Sequence, residues 1–388
     1  MQSPYCSRMQ NHIRFNFPAV LGNERCYVEK AIAQGMTSGD GHFSKRVQGW
    51  FQDEWGLQVL PTPSCSAALE MAALLCGLGP DDDFIVPSYT FVSTANAGVL
   101  RGARPRFADS APTCPHPGLA EIQAAWTPAT RAVFVVHYAG VSHELPAIAA
   151  WCKEKGLWLI EDAAQAIGST ERNALGEDQP LGSWGQWGAF SFHETKNIQC
   201  GEGGCLVVND PSAWGRAQIV WEKGTNRQSF FRGEVDKYGW VEVGSSFLPN
   251  ELTMAFLLGQ LEVMQRVTER RKAIWHAYYD AFSPALPAEQ LPPITWRSKT
   301  NGHLFYLCAE DVNQRQSWIQ TLKQHGIATH FHYQSLRDSS LAETRGWQSA
   351  EMPNARRFSD TLLRLPLHLQ LHDEDLDRII ETVLRVCR

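Results

Sequence analysis

Short apolar runs separated by helix-compatible stretches set the rhythm of the N-terminal half of the chain. The runs at 57–61, 84–87, 103–107, 132–137, 157–161, 188–192 and 204–208 show no strict polar–apolar alternation. That pattern predicts strands buried on both faces. Helices are predicted between several of them, as at 67–76 and 146–155, and after the last at 213–223. Strands alternating with helices predict an α/β domain built on a large, mostly parallel sheet. From about Leu252 the character changes. Residues 252–279 read as one long helix whose only helix-breaking residue is Gly259, followed by the prolines Pro284, Pro287, Pro292 and Pro293. A strand at 303–308 and helices at 315–325 and 373–387 then predict a smaller C-terminal α+β domain. The expected division is 13–250 for the large domain and 251–388 for the small one.

Length and composition narrow the class. A chain of 388 residues is long enough for two such domains. Its 44% apolar and 20% charged content is that of a globular protein. A net charge of −6, without any cluster of lysines and arginines, leaves no footprint for nucleic acid or for an acidic membrane surface. The longest apolar stretches, such as 132–136, are strand-sized, too short to span a bilayer. Residues 1–6 lack the charged-then-apolar order of a signal peptide. The ten cysteines, Cys6 among them, contain no Cys-x-x-Cys pair. They read as reduced thiols of a cytoplasmic protein rather than a disulfide framework or zinc site. No metal site is expected, since His137, His193, His330 and His332 have no ligand spacing.

The chemistry is written at predicted strand ends. In an open parallel sheet, functional groups gather beyond the carboxyl ends of the strands. The run 157–160 ends in Glu161-Asp162-Ala163-Ala164-Gln165, and the run 188–192 leads into His193-Glu194-Thr195-Lys196-Asn197. Alone, Asp162 reads as a helix N-cap and Lys196 as a surface lysine. Together, an aspartate and a lysine at separate strand ends meet the requirements of pyridoxal 5′-phosphate. The lysine holds that cofactor as a Schiff base and later moves a proton, and the aspartate pairs with the pyridine nitrogen. Thr62-Pro63-Ser64-Cys65-Ser66 opens a helix with small residues, so the N–H groups of Cys65 and Ser66 are candidates for holding a phosphate. Phe91, after the strand at 84–87, is a candidate to stack on the pyridine ring, and Ser191 to bond the phosphate.

Taken together these segments resemble the DegT-type sugar-nucleotide aminotransferases, a branch of the fold-type-I pyridoxal phosphate enzymes. The resemblance runs from about Phe15 to the C-terminus, through 62–73, 87–97, 136–140, 161–165, 190–197, 222–227 and 231–238. It implies that Lys196 carries the cofactor, Asp162 pairs with its ring nitrogen and Gln165 contacts its ring oxygen. Phe91 stacks on it, and Cys65, Ser66 and Ser191 hold its phosphate. It also implies a homodimer in which Asn250 reaches the partner subunit's phosphate, with His332 and Tyr333 near the substrate. The substrates implied are L-glutamate and a nucleotide sugar, dTDP-4-keto-6-deoxy-D-glucose, aminated at C4 to the galacto-configured product. Three features depart from the family pattern: Ser335-Leu336-Arg337 after the His-Tyr pair, Phe17-Pro18 near the N-terminus, and extra residues including 177–180. These put substrate preference, not Lys196 or Asp162, in question. A dehydratase of the same family carries histidine in place of the lysine, which Lys196 argues against.

Overall fold

The computed structural model describes residues 12–348 and 350–387. Residues 1–6, read above for a signal peptide, and Cys6 lie outside them. Nine strands form in the N-terminal part of the chain: β1 (Val59–Thr62), β2 (Asp83–Pro87), β3 (Arg104–Ala108), β4 (Thr130–Val136), β5 (Trp158–Asp162), β6 (Thr170–Arg172), β7 (Asp178–Pro180), β8 (Trp187–Ser191) and β9 (Gly204–Val208). All but β6 and β7 join one seven-stranded sheet in the order β1-β9-β8-β5-β4-β2-β3. Strand β9 runs antiparallel to both of its neighbours, and the remaining pairings are parallel. The extra residues at 177–180 fall in the small β6–β7 hairpin, where Arg172 pairs with Asp178.

The sheet buries both faces because its strands are apolar at successive positions. Leu60, Phe84, Val86, Phe134, Ile160 and Leu206 pack into one core. Val59, Ile85, Val133, Val135, Leu159 and Val207, displaced by one residue, pack into the other. That is the period of two expected of a pleated strand. The first helices are α1 (Glu24–Gln34), α2 (His42–Trp55), α3 (Cys65–Leu75) and α4 (Val92–Val99). Helix α3 starts directly after β1, capped by the Ser64 hydroxyl, which accepts from the Ala67 N–H at 3.1 Å.

The long helix expected over 252–279 is two helices, Glu251–Leu261 and Met264–Phe282. Tertiary contacts impose the break. Gly259 lies against the backbone of Asn23 and Glu24, where a Cβ would collide. Gln260 donates to the Ala19 carbonyl at 2.9 Å, and the Glu262 carboxylate accepts from the Tyr27 hydroxyl at 2.7 Å and Asn23 Nδ2 at 2.9 Å. Glu251, buried at the start of the first helix, accepts from the N–H groups of Gly41, Phe43 and Ser44 and so caps α2 across a long sequence distance.

Toward the C-terminus, β10 (Phe305–Cys308), β11 (His330–Phe331) and β12 (Leu362–Leu365) form an antiparallel three-stranded sheet with β12 in the middle. Of these, the sequence pattern predicted only β10. Ile13, placed by the sequence at the start of the large domain, bridges to Ile327 in the C-terminal part. Tyr89, just beyond β2, bridges to Ser335.

Candidate active site

One cavity of about 900 Å³ opens where the carboxyl ends of β5 and β8 meet the start of α3. Because β9 runs the opposite way, its beginning lies at this same edge, and Gly203 lines the cavity. Gly204 comes so close to Ser64 and Cys65 that any Cβ there would overlap the Cys65 nitrogen. The glycine therefore lets the sheet support the first turn of α3 directly.

The structure brings nine of the ten expected residues to this cavity: Cys65, Ser66, Phe91, Asp162, Gln165, Ser191, Lys196, His332 and Tyr333. Asn250 is the exception. It is exposed, and its side chain caps the helix Glu251–Leu261 by accepting from the Thr253 N–H at 2.9 Å.

Asp162 is buried at the end of β5 with its carboxylate bonded on both oxygens. Thr94 Oγ1 donates to Oδ2 at 2.7 Å, the Ala164 N–H donates to Oδ1 at 3.1 Å, and the Cys65 thiol lies 4.0 Å from Oδ1. Burial first, then the nearby Asp162 charge, push the Cys65 thiol well above its ordinary pKa, so Cys65 stays a thiol. Lys196 sits in a tight loop held by the Phe192 N–H to Gly203 carbonyl bond and the Lys196 N–H to His193 carbonyl bond, at 2.8 and 2.9 Å. Among the described residues its amine has no hydrogen-bond partner. Burial lowers its pKa, opposed by Cys65 and Asp162 and assisted by the Arg364 charge.

Around these two groups the remaining polar side chains are already oriented. Gln165 accepts from the Ala139 N–H at 2.6 Å and donates to the Tyr333 hydroxyl at 3.0 Å, leaving one amide hydrogen free. Tyr333 stacks on His332 with centroids 3.7 Å apart, and His332 Nδ1 bonds the Tyr138 hydroxyl at 2.8 Å. Burial, then the charges of Arg364 and Lys196, hold His332 well below its ordinary pKa, so it is neutral. Phe91 is largely exposed to the cavity at the N-cap of α4 and tilts over Tyr333 at 6.0 Å. The N–H groups of Cys65 and Ser66 have no acceptor among the described residues. The Ser66 hydroxyl donates to Ser93 Oγ at 2.7 Å, which ties the first turns of α3 and α4 together.

This donor set fits pyridoxal 5′-phosphate. It offers an unpartnered amine, a buried carboxylate for a ring N–H, free N–H groups and hydroxyls at a helix N-terminus for a phosphate, and an aromatic face. Sequence reasoning missed Thr94, Ser93, His303 and Arg364, which also belong to or border the cavity wall. The start of α4 beyond Phe91 was a usable signal for Ser93 and Thr94. Nothing in the sequence pattern pointed to Arg364, which lies on an unpredicted strand. The departures after His332 and Tyr333 are absorbed locally. Ser335 Oγ bonds Ser88 Oγ at 2.9 Å, while Arg337 turns away to Asp338 and Glu351 at 2.9 and 3.0 Å.

The fold is that of a pyridoxal phosphate-dependent transferase of fold type I. Residues 22–384 match the model of the DegT/DnrJ/EryC1/StrS aminotransferase family, and the chain belongs to that family. It is thus a pyridoxal phosphate-dependent sugar aminotransferase. It is similar to a dTDP-4-dehydro-2,3,6-trideoxy-D-glucose 4-aminotransferase of Saccharopolyspora spinosa, with 31% identity covering 93% of this chain and 94% of the relative. Spore coat polysaccharide biosynthesis protein SpsC of Bacillus subtilis (strain 168) is 32% identical, covering 82% of this chain and 83% of its own. The crystal structure of the aminotransferase TlmJ from Streptoalloteichus hindustanus superposes with a TM-score of 0.87 at 27% identity, covering 97% of this chain and 99% of the other.

Proposed function

We propose that this enzyme moves the amino group of L-glutamate to C4 of dTDP-4-keto-6-deoxy-D-glucose, releasing 2-oxoglutarate and giving dTDP-4-amino-4,6-dideoxy-D-galactose. That is the reaction of a dTDP-4-amino-4,6-dideoxygalactose transaminase, a step toward cell-surface polysaccharide. The observation that carries the sugar assignment is the relative named for 4-amination of a dTDP-4-dehydro sugar, similar along nearly the whole chain. The loop string from Phe190 to Asn197, which presents Lys196 to the cavity, supports the same branch.

When bound, the pyridoxal ring supplies an electron sink for the carbon that loses or gains the amine. Asp162, its orientation fixed by Thr94 and the Ala164 N–H, would accept the ring N–H. Cys65 and Ser66 would donate their N–H groups to the phosphate at the positive end of α3, with Ser191 on the same cavity wall. Gln165 would offer its remaining amide hydrogen to the ring oxygen. Lys196 would carry the proton between the substrate carbon and C4′ of the bound cofactor, on one face. Its lowered pKa makes the free amine available nearer to neutral pH than that of an ordinary lysine. His332 and Tyr333 flank the substrate.

The enzyme acts as a cytoplasmic homodimer, with a division between a large domain (13–250) and a small one (251–388). Two features support the dimer. Phe231, Tyr238, Trp240, Val241 and Val243 leave an apolar stretch exposed. Asn250 is exposed and does not line its own chain's cavity, as expected of a residue serving a partner subunit. Among the described residues no helix is long and apolar enough to cross a membrane.

Proton NMR of the product made from dTDP-4-keto-6-deoxy-D-glucose and L-glutamate tests the assignment. Small couplings at H4 mark an axial amine and the galacto product. Large couplings would replace it with the gluco-configured one.

A further inference from the structure

His303 lines the cavity just before β10 and is buried there. Its backbone is fixed from two sides. Arg271, buried in the helix Met264–Phe282, donates from Nε to the Gly302 carbonyl at 2.9 Å and from Nη2 to the His303 carbonyl at 2.7 Å. Asn301 Oδ1 accepts from the His303 N–H at 3.0 Å, while Asn301 Nδ2 donates to the carbonyls of Gln165 and Ile167 at 2.8 and 3.0 Å. Gly140 makes room for that amide, since a Cβ there would overlap it. Asn301 thus ties His303 to the segment that carries Gln165.

The imidazole is bonded on one side only. Its Nδ1 lies 2.9 Å from Asn197 Oδ1. Asn197, next to Lys196 in the chain, is buried and spends its own Nδ2 on the Asn301 carbonyl at 3.1 Å. A carbonyl can only accept, so the Asn197 nitrogen faces Asn301 and its oxygen faces His303. Nδ1 must therefore carry the proton. Burial first, then the charges of Lys196, Arg271 and Arg364, hold the imidazole well below its ordinary pKa, so the ring is neutral. In a neutral ring protonated on Nδ1, Nε2 is left as an acceptor. Among the described residues Nε2 has no hydrogen-bond partner. With Nδ1 turned to the wall, Nε2 is the nitrogen available to whatever fills the cavity. A buried acceptor left unmatched is costly, and a ligand donor removes the cost.

The proposed reaction narrows the donor. L-Glutamate brings carboxylates, which only accept, and an amine that is the group transferred. The keto sugar has no proton on its C4 oxygen, so its donors are ring hydroxyls, and the one nearest the reacting C4 is on C3. His303 is joined to Lys196 through Asn197 and lines the same cavity. Its acceptor therefore serves the side of the cavity where C4 reacts rather than the nucleotide end of the substrate.

We infer that Asn197 and Asn301 lock His303 as the Nδ1–H tautomer, so that Nε2 accepts a hydrogen bond from the C3 hydroxyl of the keto sugar. This rests on the proposed reading of a 4-keto sugar that keeps its C3 hydroxyl. It makes His303 a specificity-determining residue and Asn197 a positioning residue that acts through it.

The test measures binding of dTDP-6-deoxy-D-glucose and of its 3-deoxy counterpart to the holoenzyme by calorimetry. Neither ligand carries a ketone or an amine, so neither reacts. Wild type should bind the 3-hydroxy ligand about 10-fold more tightly than the 3-deoxy one. His303→Phe should bind the two within about twofold of each other. Asn197→Leu, which keeps the ring and removes its anchor, should narrow the gap, and it carries the comparison if His303→Phe does not retain cofactor. A merely structural role would weaken both ligands alike and leave their ratio at the wild-type value. Equal affinities in wild type overturn the inference without any variant, as does a ratio that persists in His303→Phe or stays at the wild-type value in Asn197→Leu. If wild type binds neither dTDP ligand, the nucleotide of the proposed reaction is wrong, and the same pair in the UDP series decides the role of His303. If wild type keeps the binding ratio but does not aminate dTDP-4-keto-6-deoxy-D-glucose, the proposed reaction fails and the role of His303 stands.

Discussion

Removing a single methyl-sized hydroxyl, in Thr94→Val, tests whether the orientation of Asp162 limits the chemistry. Thr94 is fully buried, and its Oγ1 lies 2.7 Å from Asp162 Oδ2 and 3.0 Å from Thr90 Oγ1. Its one proton goes to the carboxylate, so Thr90 donates to Thr94 and the three groups form a relay. Valine keeps the shape and deletes the donor. A hydrogen bond to a charged group contributes about 1.5–3 kcal/mol, which corresponds to a rate loss on the order of 10–100-fold if the bond matters at the transition state. Holoenzyme mixed with saturating L-glutamate in a stopped-flow spectrophotometer should show that loss in the limiting rate of cofactor bleaching. Cofactor retention after dialysis should be unchanged, because the Ser66–Ser93 link between α3 and α4 is untouched. Thr90→Val, which removes only the outer hydroxyl, should give a smaller loss. A Thr94→Val rate within about twofold of wild type would refute the reasoning, since the bond would then be structural only.

Other substitutions probe neighbouring parts of the site. Lys196→Ala should abolish turnover while the protein still folds; sustained release of 2-oxoglutarate by that variant would remove Lys196 from its role. Gly204→Ala should lower the melting temperature by an amount equivalent to about 1–3 kcal/mol and release cofactor more readily, because the new Cβ displaces the first turn of α3. A melting curve that overlays the wild type would show that the backbone approach is not tight. The pH profile follows from the sign of the Lys196 shift. Its folded pKa is lowered, mainly by burial, and the amine attacks only when unprotonated. Cofactor capture by the apoenzyme should therefore rise with pH through a midpoint below about 10.4, the value of a free lysine side chain. In Arg364→Met the loss of a nearby cation should move that midpoint upward; a downward move would contradict the electrostatic account.

The strands were legible in the chain because buried parallel strands are continuous apolar runs, and every run read as a strand in the N-terminal half forms one. The pair proposed to be catalytic could be located for a related reason. Asp162 closes β5, and Lys196 follows β8 by a short loop, so strand ends that can be located by hydrophobicity locate these residues too. The helix at 252–279 was misread because its break is set by Gly259, Gln260 and Glu262 meeting the segment 19–27, contacts between positions far apart in the chain. Strand β11, of two residues, is too short to announce itself, and β12 places Arg364 among leucines in a way that gives no functional hint.

Local pattern thus determined the sheet, its carboxyl edge and the position of the two residues proposed to carry the chemistry, since each depends on the hydrophobicity of a few consecutive residues. Tertiary structure decided the rest. The relay from Thr90 through Thr94 to Asp162, the Gln165–Tyr333–His332 wall and the contact of Arg364 with the Phe15 ring each join residues from separate segments. Hydrogen bonds and fields act over a few ångströms of space whatever the sequence separation. Only the folded chain sets those distances.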